Sequence, residues 1–256
     1  MVASLLTILA VVAVGVPLVM FLVQDRLLFF PQPLSDVQRA QVGGKEVLLD
    51  AEGVRLHAWH LPGEPLILYF GGNAEEVSWM LREGRRNAPG AGWLLVNYRG
   101  YGGSQGAPSA KNISADALRW HDHARDALQA KAIVVFGRSL GSGAAVHVAA
   151  NRPVRGAILV TPFDSLTEVA KHHYPFLPVS LLLRHRFDPV ELAPQVRAPL
   201  LCIAAARDEV IPSAHARRLY DAWGGEKRWI ELENAGHNST DGVPGFWQAI
   251  NAFLKQ

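Results

Sequence analysis

Ser139 stands in Gly137-Arg138-Ser139-Leu140-Gly141, after the apolar run Ala132-Ile133-Val134-Val135-Phe136 and before a run of small, helix-compatible residues. A sharp strand-to-helix turn presents a serine hydroxyl as a nucleophile, and flanking glycines permit the close backbone approach that such a turn requires. A serine hydroxyl attacks poorly at neutral pH unless a base takes its proton, usually a histidine oriented by a carboxylate. Asp208 follows the apolar run 200–204, and His237 follows the run 228–232. Both lie just past the C-terminal ends of strand-like segments, where open α/β sheets bind ligands. Ser139, Asp208 and His237 are therefore the candidate catalytic residues.

An attacked carbonyl develops negative charge that backbone N–H groups can hold. The elbow supplies one donor at Leu140. The loop Phe70-Gly71-Gly72-Asn73-Ala74 supplies the other, expected at Asn73, with Glu75 and Glu76 opening the helix that follows. Asp164 is the rival acid and reads as a cap for the next helix, a common role for Asp. Glu209 reads as a surface charge. His121 and His123 are two apart on a helix-like segment and share no face, so solvated positions are expected for both. The sequence shows no metal-ligand spacing, and Cys202 sits mid-strand as a core residue.

Eight strand-like runs must position these groups: 46–49, 54–60, 66–70, 93–98, 132–136, 157–160, 200–204 and 228–232. Most are continuous apolar stretches bounded by Gly or Pro, as in strands buried on both faces. Helical segments are expected at 75–85, 115–129, 140–150, 213–223 and 244–254. This alternation predicts an α/β fold with a mainly parallel eight-stranded sheet, helices on both faces and an antiparallel edge made by the first two strands. The chain has 256 residues, 49% of them hydrophobic, which is ample for a packed core. Its 25 basic and 23 acidic residues leave a formal charge of +2, giving no electrostatic reason to expect a nucleic-acid partner. One cysteine excludes a disulfide framework.

The elbow GRSLG, the loop FGGNAEE, the run NYRGYGGSQGAPS, the acid segment RDEVIP and the base segment AGHN occur together and in order. With them the chain resembles serine hydrolases of the α/β-hydrolase fold over nearly its whole length. An apolar N-terminus followed by Phe30-Pro31-Gln32-Pro33 is similar to a membrane-anchored branch that includes depalmitoylase-like and monoacylglycerol-lipase-like members. The resemblance implies hydrolysis of an ester or thioester through an acyl-enzyme on Ser139, Asp208 and His237, with no cofactor and no metal. An acyltransferase using the same residues, and a non-catalytic, membrane-tethered binding module, are the alternatives. The chain departs from the family in two places. Gly71 stands where a histidine is usual in the oxyanion loop, and Ala205-Ala206-Arg207 replaces a His-Gly pair before the acid.

Residues 1–24 contain no Asp, Glu, Lys or Arg. About 20 apolar residues in a helix cross a bilayer core, so this stretch is expected to be a retained transmembrane anchor. A cleaved signal peptide is the alternative, with a small-x-small site at Ala13 to Gly15. Residues 25–44 form a juxtamembrane segment and 45–256 the hydrolase domain. Arg26 and Arg39 bias the domain weakly towards the cytoplasmic side and leave both faces open. The segment 168–196 is too short for a large cap and is expected to form a short lid, either rimming an open site with apolar side chains or packing on the core. The expected partners are a small ester or acyl substrate and the membrane.

Overall fold

The computed structural model describes the backbone of residues 2–256, and the side chains of all of these except residues 2, 3, 5–10 and 12. A 27-residue helix α1 (Val2–Leu28) leads through α2 (Asp36–Gln41) into a single sheet. Its strands are β1 (Lys45–Ala51), β2 (Val54–Leu61), β3 (Leu66–Phe70), β4 (Gly92–Asn97), β5 (Ile133–Arg138), β6 (Gly156–Val160), β7 (Leu200–Ala205) and β8 (Lys227–Leu232). They lie in the order β1-β2-β4-β3-β5-β6-β7-β8. The first two are antiparallel to each other and β2 is antiparallel to β4, while all later pairings are parallel. The fold is the α/β-hydrolase fold that the strand–helix alternation and the motifs predict.

The helices between strands are α3 (Ser78–Asn87), α4 (Ala110–Asp126), α5 (Leu140–Asn151), α9 (Ser213–Ala222) and, after β8, α10 (Phe246–Leu254). The segment between β6 and β7 carries α6 (Leu166–His173), α7 (Val179–Leu182) and α8 (Pro189–Leu192). Strand alternation divides the core between the two faces of the sheet. In β3, Leu66, Leu68 and Phe70 pack on one face with Trp120 of α4 and Ala144 of α5. Ile67 and Tyr69 pack on the other face with Met80 of α3 and Ile250 of α10. Each fully buried side chain of this size contributes about 1.5–3 kcal/mol. The sheet is thus a rigid plate whose strand ends can hold loops in fixed positions.

Two helix starts differ from expectation for identifiable reasons. Helix α4 begins five residues early, at Ala110, because the Ser109 hydroxyl accepts the Asn112 N–H at 3.1 Å and caps it. Helix α3 begins late, at Ser78, so Glu75 and Glu76 lie in the loop before it. Ala74 turns the chain there with φ +56°; the Glu75 carboxylate folds back onto the Gly72 N–H, and that of Glu76 accepts the Ser78 N–H at the helix start. Of the two α4 histidines, both expected to be solvated, His121 is buried and His123 is only partly exposed. His121 is fully buried with its Nε2 3.0 Å from the Pro153 carbonyl, and the His123 Nε2 is likewise buried.

Among the described residues, no helix is long and apolar enough to cross a membrane. Much of the expected span over 1–24 falls on side chains outside that description. From Val14 onward α1 exposes Val14, Leu18 and Leu22. Its last turn is fastened to the segment before β7. Gln24 Nε2 donates to the Leu182 carbonyl at 3.1 Å, and Gln24 Oε1 accepts the Arg184 N–H at 2.8 Å. Asp25 pairs with Arg184 at 2.8 Å and with His185 at 2.6 Å. The chain then runs beside the loop after β4, where Pro33 bridges Gly102.

Candidate active site

Strand β5 delivers Ser139 to the C-terminal edge of the sheet. Its backbone takes φ +50° and ψ −117°, a conformation that side chains rarely adopt and that costs on the order of 1–3 kcal/mol. The surroundings over-determine it. The Ser139 N–H donates to the Val160 carbonyl at 2.9 Å, and its own carbonyl accepts from the Ser142 N–H at 2.9 Å and the Ser142 hydroxyl at 2.6 Å. The flanking glycines are a steric requirement. A Cβ at Gly141 would lie 2.0 Å from the Phe70 carbonyl oxygen, and one at Gly137 would lie 2.5 Å from the Gly141 oxygen. This contact also presses the start of α5 against the end of β3, where the loop 71–74 begins.

Loops after β7 and β8 bring in the other two groups. His237 Nε2 lies 2.9 Å from Ser139 Oγ, and His237 Nδ1 lies 2.8 Å from Asp208 Oδ2. The second oxygen of Asp208 accepts the N–H groups of Val210 at 3.0 Å and Ile211 at 2.7 Å. One carboxylate oxygen is thereby fixed by backbone and the other is left for the imidazole. The acid and base loops are also joined directly, because the Arg207 N–H donates to the Ala235 carbonyl at 3.0 Å. Ala205, one of the residues standing in place of the family's His-Gly pair, completes β7. Glu209 is exposed, as expected of a surface charge.

The loop after β3 faces the serine across a cavity of about 400 Å³ lined by Gly72, Asn73, Trp79, Arg138, His237 and Asp241, among others. Leu140 is the first residue of α5, so its N–H lies among those that a helix leaves unpaired. The loop is held from below by Glu75. This carboxylate accepts the Gly72 N–H at 2.6 Å, the Tyr69 hydroxyl at 2.7 Å and the Trp79 indole N–H at 2.9 Å. Burial lifts the Glu75 carboxyl above its ordinary range, against the Arg138 charge and the three donors, which pull it down. Tyr98 adds a hydroxyl bond to the Gly71 carbonyl at 2.7 Å. A side chain at Gly71 would start 2.8 Å from Val77 and 3.0 Å from the Glu75 carboxyl carbon. Val77 and Glu75 thus leave little room for a side chain at Gly71.

Sequence reasoning missed Glu75 in this role, together with Tyr69, Tyr98 and the pair Arg138–Asp241, which approach to 3.5 Å. Asp164 is placed elsewhere. It is buried and ion-paired with His215 at 2.7 Å and with Arg218, and the helix start at Ser165 has no side-chain cap. Asp164 is neither the acid beside His237 nor the expected cap. It is a buried carboxylate that joins the start of the lid segment to α9 through buried His215 and exposed Arg218.

A family model described as "Serine hydrolase" matches residues 86–256. The uncharacterized protein Rv2307c of Mycobacterium tuberculosis is 35% identical over 264 residues, covering 97% of this chain and 93% of its own. The uncharacterized membrane protein YNL320W of Saccharomyces cerevisiae is 29% identical and covers 82% of this chain and 78% of its own. Among solved structures, the esterase Pf2001 of Pyrococcus furiosus superposes with a TM-score of 0.69 at 17% identity, covering 89% of this chain and 97% of its own.

Proposed function

The chain belongs to the serine hydrolase family, and from that premise we propose that it cleaves a carboxylic ester or thioester through an acyl-enzyme on Ser139. The observation that carries this reading is the unbroken hydrogen-bonded line from Ser139 through His237 to Asp208 at the wall of the cavity. His237 Nε2 takes the Ser139 proton as Oγ bonds to the carbonyl carbon. Asp208, fixed by two backbone donors, holds the imidazole tautomer and stabilises the imidazolium. The N–H groups of Asn73 and Leu140 receive the oxyanion, and one such donor is worth about 2.7–4 kcal/mol. The carbonyl reforms as the alcohol or thiol leaves with the proton from His237. Water, deprotonated by the same imidazole, then attacks the acyl carbon and frees the acid and Ser139.

The charge-free stretch 1–24 supports a membrane anchor, and the membrane label of the yeast relative supports the same reading. Apolar side chains near that helix support an acyl or lipid-like substrate. Phe176 is 96% exposed and Leu181 is 85% exposed, both in the lid segment that receives Gln24.

Labelling the full-length chain with a fluorophosphonate probe tests the proposal. Wild type is expected to label, while Ser139→Ala and His237→Ala do not. A series of p-nitrophenyl esters then sets the preferred acyl length. A folded wild type that fails to label overturns the catalytic reading and favours a binding module. Labelling without ester turnover, restored by an added alcohol acceptor, favours acyl transfer.

A further inference from the structure

Asn73 is assigned above only a backbone N–H, yet its side chain is the most heavily bonded group at the mouth of the site. Nδ2 donates to the Leu28 carbonyl at 2.6 Å, the last residue of α1. Oδ1 accepts the Phe30 N–H at 3.0 Å, the Tyr101 hydroxyl at 2.6 Å and the Ala74 N–H at 3.1 Å. The Tyr101 oxygen itself accepts the same Phe30 N–H at 3.0 Å. One amide thus grips both sides of the bend where the N-terminal helix ends. Phe29, between the two gripped residues, is buried against His185 with rings 5.0 Å apart. The helix turn just before this bend is fastened to the lid through Gln24 and Asp25.

The lid, the end of α1 and the loop facing Ser139 therefore form one hydrogen-bonded series. An oxyanion donor acts only when its N–H is aimed within a narrow geometry, so a small displacement of the loop costs rate while leaving ground-state binding largely intact. Resting on the hydrolase reading above, we infer that the Asn73 side chain is a positioning residue that makes turnover depend on the docked state of the N-terminal helix. With α1 seated, the amide fixes the loop. With α1 displaced, Asn73 loses Leu28 and Phe30 and keeps Tyr101, and the loop is held by that bond with Glu75 and Tyr98. The helix is then a control element for the chemistry as well as an attachment.

The test is a double-mutant cycle on the full-length chain in detergent micelles, with p-nitrophenyl butyrate as a short soluble ester. Asn73→Ala is expected to lower kcat on the order of 10-fold, part of what losing an oxyanion donor costs, with KM within about twofold of wild type. Gln24→Ala, which breaks two of the helix–lid bonds, leaves those of Asp25 and does not touch the loop, is expected to lower kcat several-fold. The double variant is expected to be no slower than Asn73→Ala alone, because the route from helix to loop is already cut. Tyr101→Phe removes a second member of the grip and is expected to lower kcat with KM unchanged, which keeps the test available if Asn73→Ala folds poorly. Wild-type kcat in Gln24→Ala or in both loop variants, or losses that multiply in the double variant, overturn the coupling. Fluorophosphonate labelling of wild type separates the outcomes. If wild type labels but the cycle fails, only the coupling falls. If wild type does not label, the hydrolase reading falls with it.

Discussion

Two concavities of this molecule lie close in structure and differ in kind. The crevice at Ser139 is polar, and its walls come from loops at the ends of β3, β5, β7 and β8, each fixed by several hydrogen bonds. The groove between α1 and the lid is lined by Met20, Leu27, Tyr174, Leu177 and Leu183 and is small, about 80 Å³. It is fastened mainly through Gln24 and Asp25. The difference teaches that exact positioning and apolar contact rest on different physics here. The crevice needs side chains held to fractions of an ångström, which a buried sheet supplies. The groove needs only apolar surface, and adjustable helices suffice.

The sharpest way to break this division is to strike the crevice and look for damage to the scaffold. Ser139→Ala is expected to lower kcat by on the order of 10⁴–10⁶-fold with a near-native melting temperature. Ser139→Gly is expected to be equally inactive but more stable than Ser139→Ala, because glycine accepts the φ of +50° without strain. Equal stability of the two in calorimetry would show that the elbow relaxes when its side chain goes. Asp208→Asn comes next, at about 10⁴-fold in kcat. The Val210 and Ile211 N–H groups will hold the asparagine oxygen, so its NH₂ faces His237 and enforces the wrong tautomer. NMR of the imidazole nitrogens reads this directly.

Glu75→Ala probes the floor of the crevice. It strands the donors of Gly72, Tyr69 and Trp79, at about 1–3 kcal/mol for each buried group left unsatisfied, and is expected to lower kcat by roughly 10–100-fold. Normal turnover in a folded Glu75→Ala protein would show that Asn73 and Tyr98 suffice to hold the loop.

Behind the crevice, His57 is buried beside Asn97, and desolvation lowers its pKa from 6.5, with Arg39 in the same direction and Glu46 and Glu76 opposing. His60, His123 and His147 are lowered for the same leading reason. Below pH 6.5 the unfolded chain binds protons that these folded rings refuse, so stability is full above that value and falls as pH drops towards the folded pKa. Melting temperature is expected to decline from pH 7.5 to 5.5, and His57→Gln to flatten the decline. An unchanged slope in that variant would assign the effect elsewhere.

The smallest effect belongs to the exposed part of the lid segment. Phe176→Ser is expected to leave stability within about 0.5 kcal/mol, since the ring is exposed. Turnover of long-chain esters in vesicles is expected to fall a few-fold while short soluble esters are unaffected. Parallel losses on both substrates would place Phe176 with the crevice after all.

The same contrast explains what could be read from the residues alone. The five central strands β3 to β7 were legible as short apolar runs, because burial on both faces leaves no polar alternation to confuse. The elbow was legible because Gly137 and Gly141 answer to backbone contact, a local requirement. Glu75 was not. Its position suggests a first helical turn, and only the left-handed bend at Ala74 turns it under the loop. Asp164 was misread as a cap for a related reason. Its partners His215 and Arg218 lie 51 and 54 residues away and meet it only when α9 packs beside the segment after β6.

Ser139 and His237 are separated by 98 residues of chain, and β6, β7 and β8 must pair in parallel before the two can touch. Long-range parallel pairing forms late, since loop closure precedes any gain from contact. On the proposed mechanism, the nucleophile therefore emerges during biosynthesis well ahead of the base that arms it. A nascent or misfolded chain would then carry an inert serine, with hydrolysis expected only once the sheet is complete.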